Sequence, residues 1–155
     1  MSTVFAYWSP KLYNYYVDTV QKLRGNDPSL VFNFSNSIFA CATYNFGPET
    51  VTVTHLDYLN YIAGWCGITN FVPSSLIPSA YLQHSNTAIP FGETRYLFTQ
   101  YTAGAIFRYI EDGFRMRTQM SEEEQKEAEE KQRERITIDL NMYSTIPELK
   151  KMYGL

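Results

Sequence analysis

Between Ser37 and Gly104 the chain is cut repeatedly by glycine or proline, at positions 47, 48, 64, 67, 73, 78, 90, 92 and 104. Most of the pieces left between them are short and rich in Val, Ile, Thr, Tyr and Phe, which suits strands and turns better than helices. "SIFACATYNF" (37 to 46) is one such strand, closed by Gly47-Pro48, and residues 49 to 57 form the next. "GWCGITNF" (64 to 71) reads as a third. "SSLIPSA" and "QHSNTAI" are shorter candidates broken by Pro78 and Pro90, and "TRYLFTQYTAG" (94 to 104) alternates so that Arg95, Leu97, Thr99 and Tyr101 share one face. This pattern predicts a mainly β domain with flanking helices (α+β), of the sandwich, jelly-roll or barrel kind.

Helical periodicity is confined to the two ends. In "SPKLYNYYVDTVQKLRG" Ser9 can cap, Pro10 occupies the first helical position and Gly25 is the stop, with Leu12, Tyr16, Val20 and Leu23 as the apolar stripe, widened by Tyr13 and Val17. "SEEEQKEAEEKQRER" (121 to 135) opens with the capping box Ser121 and Glu124 and runs from acidic to basic, as a helix dipole favours. Almost no apolar residue interrupts it, so it reads as a solvated helix or a partner-binding arm. A final helix from Pro147 is expected to dock back. The expected units are a β domain with its N-terminal helix over 1 to 117 and an acidic helical tail over 118 to 155.

Charge and cysteine narrow the classes further. Residues 1 to 117 hold seven Lys/Arg against seven Asp/Glu, and residues 118 to 155 hold six against nine, so the body is neutral and the tail carries the net −3. A tight, non-specific nucleic-acid binder would carry a basic footprint instead. No run has the length of a membrane span and the opening residues do not read as a secretion signal, so no membrane partner and an intracellular location are expected. Cys41 and Cys66 sit in apolar strand-like text and are expected as buried, reduced thiols.

The stretch "ETVTVTHLDYLN" (49 to 60) carries the chemistry. A period of two puts His55 and Asp57 on the face that holds Val51 and Val53, where titratable groups need partners. On its own, His-x-Asp reads as a hydrogen-bonded pair at a strand end. The only other histidine, His84, follows in "YLQHSN", and Arg95 comes eleven residues later. Two imidazoles and a carboxylate are the ligand set of non-haem Fe(II) oxygenases, with positions left for co-substrate and oxygen. An arginine can hold the far carboxylate of a 2-oxo acid in bidentate fashion. His55, Asp57 and His84 are thus the candidate metal ligands and Arg95 the candidate clamp.

Other residues attract weaker readings. Tyr44, Asn45, Trp65, Tyr96 and Phe98 are candidates to line a base or cofactor pocket, although aromatics at strand spacing are more often core. Ser79, Ser85 and Cys66 lack the surroundings of a nucleophile. Arg108, Arg115 and Arg117 have the charge to touch phosphate, but beside Glu111 and Asp112 they read more readily as a mixed-charge surface.

These segments, with "FNFSNSIFACATYNFGPETVTVTHLDYLN", "GWCGITN", "LIPSAYLQHSN" and "GETRYLFTQYTAGAIFRYIEDGFR", closely resemble the fungal, transposon-associated branch of the TET/JBP-like 2-oxoglutarate/Fe(II) dioxygenases over most of residues 5 to 117. "MYSTIPEL" resembles that family's C-terminal end. The resemblance implies a double-stranded β-helix (jelly roll), Fe(II) and 2-oxoglutarate as cofactors, and DNA bearing 5-methylcytosine or a related methylated base as substrate, with a nuclear location following from it. It places iron on His55, Asp57 and His84 and 2-oxoglutarate on Arg95.

The chain departs from that pattern between Asp57 and His84. Residues 58 to 83 number 26, whereas four strands with their connections need roughly 40. About two central strands are missing, where "ITNFVPSSLIPSA" runs straight across. Such a loss would leave apolar edges, which an oligomer joined through an open sheet edge could cover. The competing expectation is a truncated, catalytically inactive relative that acts by interaction.

Overall fold

The computed structural model describes residues 2–32, 34–48, 59–71 and 94–155. Along them run α1 (Ser2–Trp8), α2 (Pro10–Asn26), β1 (Cys41–Asn45), β2 (Gly67–Phe71), β3 (Tyr96–Tyr101), α3 (Gly104–Glu111), a 3-10 turn (Arg117–Gln119), α4 (Glu122–Asn141) and α5 (Ile146–Tyr153). The architecture is mixed helix with a small three-stranded antiparallel sheet, an α+β arrangement in which helix outweighs strand among the described residues. The predicted strands at 49 to 57, "SSLIPSA" and "QHSNTAI" lie outside the described residues.

The stripe foreseen for α2 is largely what it buries: Leu12, Tyr16 and Val20, joined by Thr19. Thr19 can occupy that face because its hydroxyl donates to the Tyr15 carbonyl at 2.7 Å, leaving only the methyl to pack. Ser9 does not cap through its side chain. It is fully buried between α1 and α2, its N–H donating to the Phe5 carbonyl and its own carbonyl accepting from Tyr13. The path bends at Ser9, whose φ of −140° and ψ of 63° are not helical, so α1 packs against α2 instead of extending it. No cap signal marks α1, which is held because Phe5 stacks on Trp65 at 4.9 Å and meets Tyr16 edge-on at 5.2 Å.

The core that results lies among the helices. Phe5, Leu12 and Tyr16 meet Ile38, Phe39, Tyr61 and Phe107, with Trp65 and Met142 packed around them. Ile38 and Phe39 explain why β1 starts at Cys41 and not at 37: both are buried, and two neighbours on a strand cannot face the same side. The Ala40 N–H is instead taken by the Thr102 hydroxyl at 3.1 Å. Cys41 is half-buried and Cys66 is exposed, so only the first approaches the expectation of buried thiols; both are free.

The sheet order is β1-β3-β2, with β3 central. Asn45 and Asn70 lie opposite Leu97, and Tyr44 and Thr69 lie opposite Phe98. One face thus carries Arg95, Leu97, Thr99 and Tyr101 with Asn45 and Ile68, as the alternation foresaw for β3, and the other carries Tyr96, Phe98 and Gln100 with Tyr44 and Phe71. The predicted strand to 104 ends at Tyr101, because α3 begins at Gly104. That glycine fits under the Asn60 carbonyl, which a Cβ would meet at 3.3 Å, and its N–H donates to the Leu59 carbonyl at 2.8 Å.

The tail keeps its predicted capping box, in which the Glu124 N–H donates to the Ser121 hydroxyl at 3.2 Å and the Ser121 N–H to the Glu124 carboxylate at 2.8 Å. α4 nevertheless runs on to Asn141, beyond the acidic stretch. α5 begins with a second capping box, Thr145 and Glu148, and stops at Gly154 in the left-handed region, φ +69°. It docks back as foreseen: Leu149 is buried, Lys11 and Glu148 pair at 2.8 Å, and the Tyr7 and Tyr153 rings stack at 4.4 Å.

Candidate functional site

Arg95 stands at the head of the central strand. It is 1% exposed, a rare condition for arginine, and its backbone N–H donates to the Pro48 carbonyl at 2.6 Å. That bond ties the start of β3 to the chain just beyond β1. The side chain shares its phase with buried Leu97, so a cation is delivered to the inner side of the sheet. His55, Asp57 and His84, the predicted metal ligands, lie outside the described residues, as do Ser79 and Ser85. Among the described residues no group of three His, Cys, Asp or Glu is placed to hold a metal ion.

The five candidate pocket residues are divided among three places, with only Tyr44, Tyr96 and Phe98 on one face. Asn45 shares the face of Leu97 and Arg95. Tyr44 and Tyr96 are on the opposite face, where Tyr44 lies 4.9 Å from the Phe98 ring. Trp65 belongs to the helical core, stacked on Phe5. The alternation alone separates Tyr96 from Arg95; the placement of Tyr44 needed the pairing register, and that of Trp65 needed α1.

A second constellation was not foreseen, and it sits where the tail meets the body. Arg135 on α4 donates to the Glu111 carboxylate and to the Tyr15 hydroxyl, reaches the Tyr61 hydroxyl at 3.3 Å, and pairs with Asp139 one turn on at 3.4 Å. Tyr61 donates its hydroxyl to Asp139, and Tyr15 donates its own to Glu111 at 2.7 Å. The guanidinium lies 5.0 Å from the Tyr61 ring centre. Burial pushes both phenols well above their ordinary range, and the carboxylates that accept their protons push further. Burial alone would lower Arg135, but its bonds to Tyr61 and Glu111 and the pull of the Tyr15 phenol leave it above its ordinary value.

Each group in this cluster has a protein partner, so its chemistry is to fasten α4. The only sequence signal was the Arg135 and Asp139 spacing of four, which on a helix puts both on one side. Nothing local marks Tyr15, Tyr61 and Glu111 as their partners. Beside the cluster, a cleft of about 560 Å³ opens between α3, the 3-10 turn and α4. It is lined by Arg108, Arg115, Arg117 and Lys131 together with Glu111, Asp112 and Glu124. Arg115 pairs with Glu124 at 3.0 Å and Arg117 with Asp112 at 3.6 Å and Gln132 at 2.8 Å. Two of the three arginines considered for phosphate are therefore held by the protein's own acids.

Among the described residues no helix is long and apolar enough to cross a membrane. No family model, curated protein or solved structure matches the chain.

Proposed function

We propose that the chain is built on a double-stranded β-helix of which β1, β2 and β3 are part, and that it acts as a 2-oxoglutarate/Fe(II)-dependent dioxygenase on the methyl group of a methylated base in DNA. The observation that carries this reading is Arg95: a buried cation at the head of the central strand, in phase with the inner face. A guanidinium held on that face is the group suited to grip the far carboxylate of a dicarboxylate co-substrate in bidentate fashion.

Two imidazoles and a carboxylate, His55, Asp57 and His84, are the donor set suited to ferrous iron with open positions, and these residues would hold the metal. Bound iron and 2-oxoglutarate supply the oxidising chemistry. The chain's own work is to fix the co-substrate through Arg95 and to exclude water. A base within a duplex must be flipped out before its methyl group can be reached. A nuclear location would follow from that substrate.

The 26-residue interval from 58 to 83 favours a second reading, a shortened relative that keeps the motif without a working pocket. Anaerobic titration with Fe(II) and then 2-oxoglutarate separates the two. The first reading requires a visible chelate band in the parent that is lost in His84→Ala and weakened in Arg95→Ala. A folded parent with no band leaves the second.

A further inference from the structure

The sheet's other face holds an unusual surface. In register across three strands lie Tyr44, Phe98 and Thr69, and in the next row Tyr96 and Phe71, with Phe46 following Tyr44 at the strand's spacing of two. The rings touch: Tyr44 is 4.9 Å from Phe98 and stacks with Phe46 at 5.9 Å, while Phe34 meets Phe98 edge-on at 5.3 Å. Five of these six rings are open to solvent, Phe46 at 84%, Phe71 at 54%, Tyr44 at 46%, Tyr96 at 41% and Phe34 at 39%. Among the described residues of the three strands, none on this face is charged.

At roughly 150 to 250 Å² of surface per aromatic side chain, those exposures leave on the order of 500 Å² of contiguous apolar area. That is near the upper end for the largest patch on a soluble monomer, at about 300 to 600 Å². Two copies of the patch bury on the order of 1,000 Å² from the rings alone, the size at which a specific interface begins. The absence of charge matters as much as the area. In an isologous contact the same patch meets itself, residue i touching j and j touching i, so a charge on this face would be buried against apolar rings or, near the two-fold axis, against its like. The neutral face also offers nothing to attract a phosphate backbone.

We infer that the aromatic face of the β1-β3-β2 sheet is a homodimer interface, at which two copies of this chain stack face to face. It lies on the side of the sheet away from Arg95 and stands independently of the dioxygenase reading. It also differs from pairing through a sheet edge, because side chains and not backbone groups make the contact.

Sedimentation velocity on the full chain, from about 1 to about 100 μM, tests the inference. The parent is expected to sediment as a dimer of the 18.0 kDa chain. Phe46→Glu and Phe71→Glu are expected to raise the dissociation constant at least about 100-fold, because each buries a carboxylate against apolar rings. Ile62→Glu, at a 91% exposed position outside the strands, serves as the control and should leave the dimer intact. Circular dichroism checks the fold of each variant; should one glutamate variant fail to fold, the other decides. A parent that stays monomeric at the highest concentration overturns the inference. So does a dimer that survives in a folded glutamate variant, since edge pairing would be indifferent to these rings.

Discussion

Phe5 and Phe46 are the same side chain in opposite circumstances. Phe5 lies within α1 at 1% exposure, ringed by Tyr13, Tyr16, Phe39 and Trp65, whereas Phe46 lies just past β1, stacked on Tyr44 and 84% exposed. The contrast extends to their neighbourhoods. In the helical half the aromatic rings face one another and the hydroxyls of half-buried Tyr15 and buried Tyr61 find acids or arginine; on the sheet the rings are spread on one face and point to solvent. Aromatic content therefore does two jobs in one small chain, closing a core at one place and furnishing a surface at another.

The sharpest way to break this comparison is to truncate both rings. Phe5→Ala is expected to cost about 4 kcal/mol, the loss of a fully enclosed phenyl together with the cavity left behind. Phe46→Ala, measured at high dilution, is expected to fall within about 0.5 kcal/mol of the parent. Urea unfolding of the two variants measures the difference directly. Equal costs would mean that the sheet face is as closely packed as the helical core.

The second largest effect is expected where the tail is fastened. Arg135→Ala strands Asp139, which is buried, and removes the common partner of Tyr15, Tyr61 and Glu111, at about 3 kcal/mol. Replacing both members, Arg135→Met with Asp139→Leu, is expected to be milder than the single change, because no uncompensated charge remains. A double variant worse than the single would show that the network and not the apolar packing of Met142 fastens α4.

How far the sequence disclosed these two halves differs with the range of the interactions. Ser121 with Glu124, Pro10, and the Leu12, Tyr16 and Val20 stripe are local, and α2, α4 and α5 were legible from them. The phase of Arg95, Leu97, Thr99 and Tyr101 was legible too, since a strand has only two faces. What escaped was set by contacts between distant segments. α1 depends on Trp65, β1 is shortened by the burial of both Ile38 and Phe39, and the acidic tail docks through Tyr15 and Tyr61, which precede Arg135 by 120 and 74 residues. The candidate site divides in the same manner: Arg95 was placed by alternation, while the grouping of Tyr44, Asn45, Trp65 and Tyr96 assumed a tertiary neighbourhood that the register of β1 on β3 and the packing of α1 do not provide.

The alkaline limit should sharpen the comparison further. Tyr15 and Tyr61 have folded-state values raised above the ordinary 10.0, chiefly by burial. A raised value means that their contribution is complete below the unfolded value and is lost as pH climbs past it, because the unfolded chain releases those protons first. Stability should fall above about pH 10, by at most about 1.4 kcal/mol per pH unit for each phenol. Tyr61→Phe should reduce that slope, while Tyr44→Phe, on the open sheet, should leave it unchanged. A slope indifferent to Tyr61 would remove the phenol cluster from the account of how the tail is held.

The smallest effect concerns the far end of the tail. The Glu148 carboxyl is held down at about 2, first by its bond from Lys11 and then by the Thr145 N–H and hydroxyl at the head of α5. A lowered value works in the opposite sense to the phenols: the contribution is present above the ordinary 4.5 and is lost as pH falls toward 2. The melting temperatures of the parent and of Glu148→Gln should therefore differ by a degree or so near pH 6 and converge on acidification. Both partners are exposed, so the gap will be small and further reduced by salt. A gap that persists unchanged to low pH would mean that the glutamine disturbs the shape of the cap and not its charge. The docking of α5 would then rest on buried Leu149 and the stacking of Tyr153 on Tyr7, the same enclosure of rings that marks the helical half.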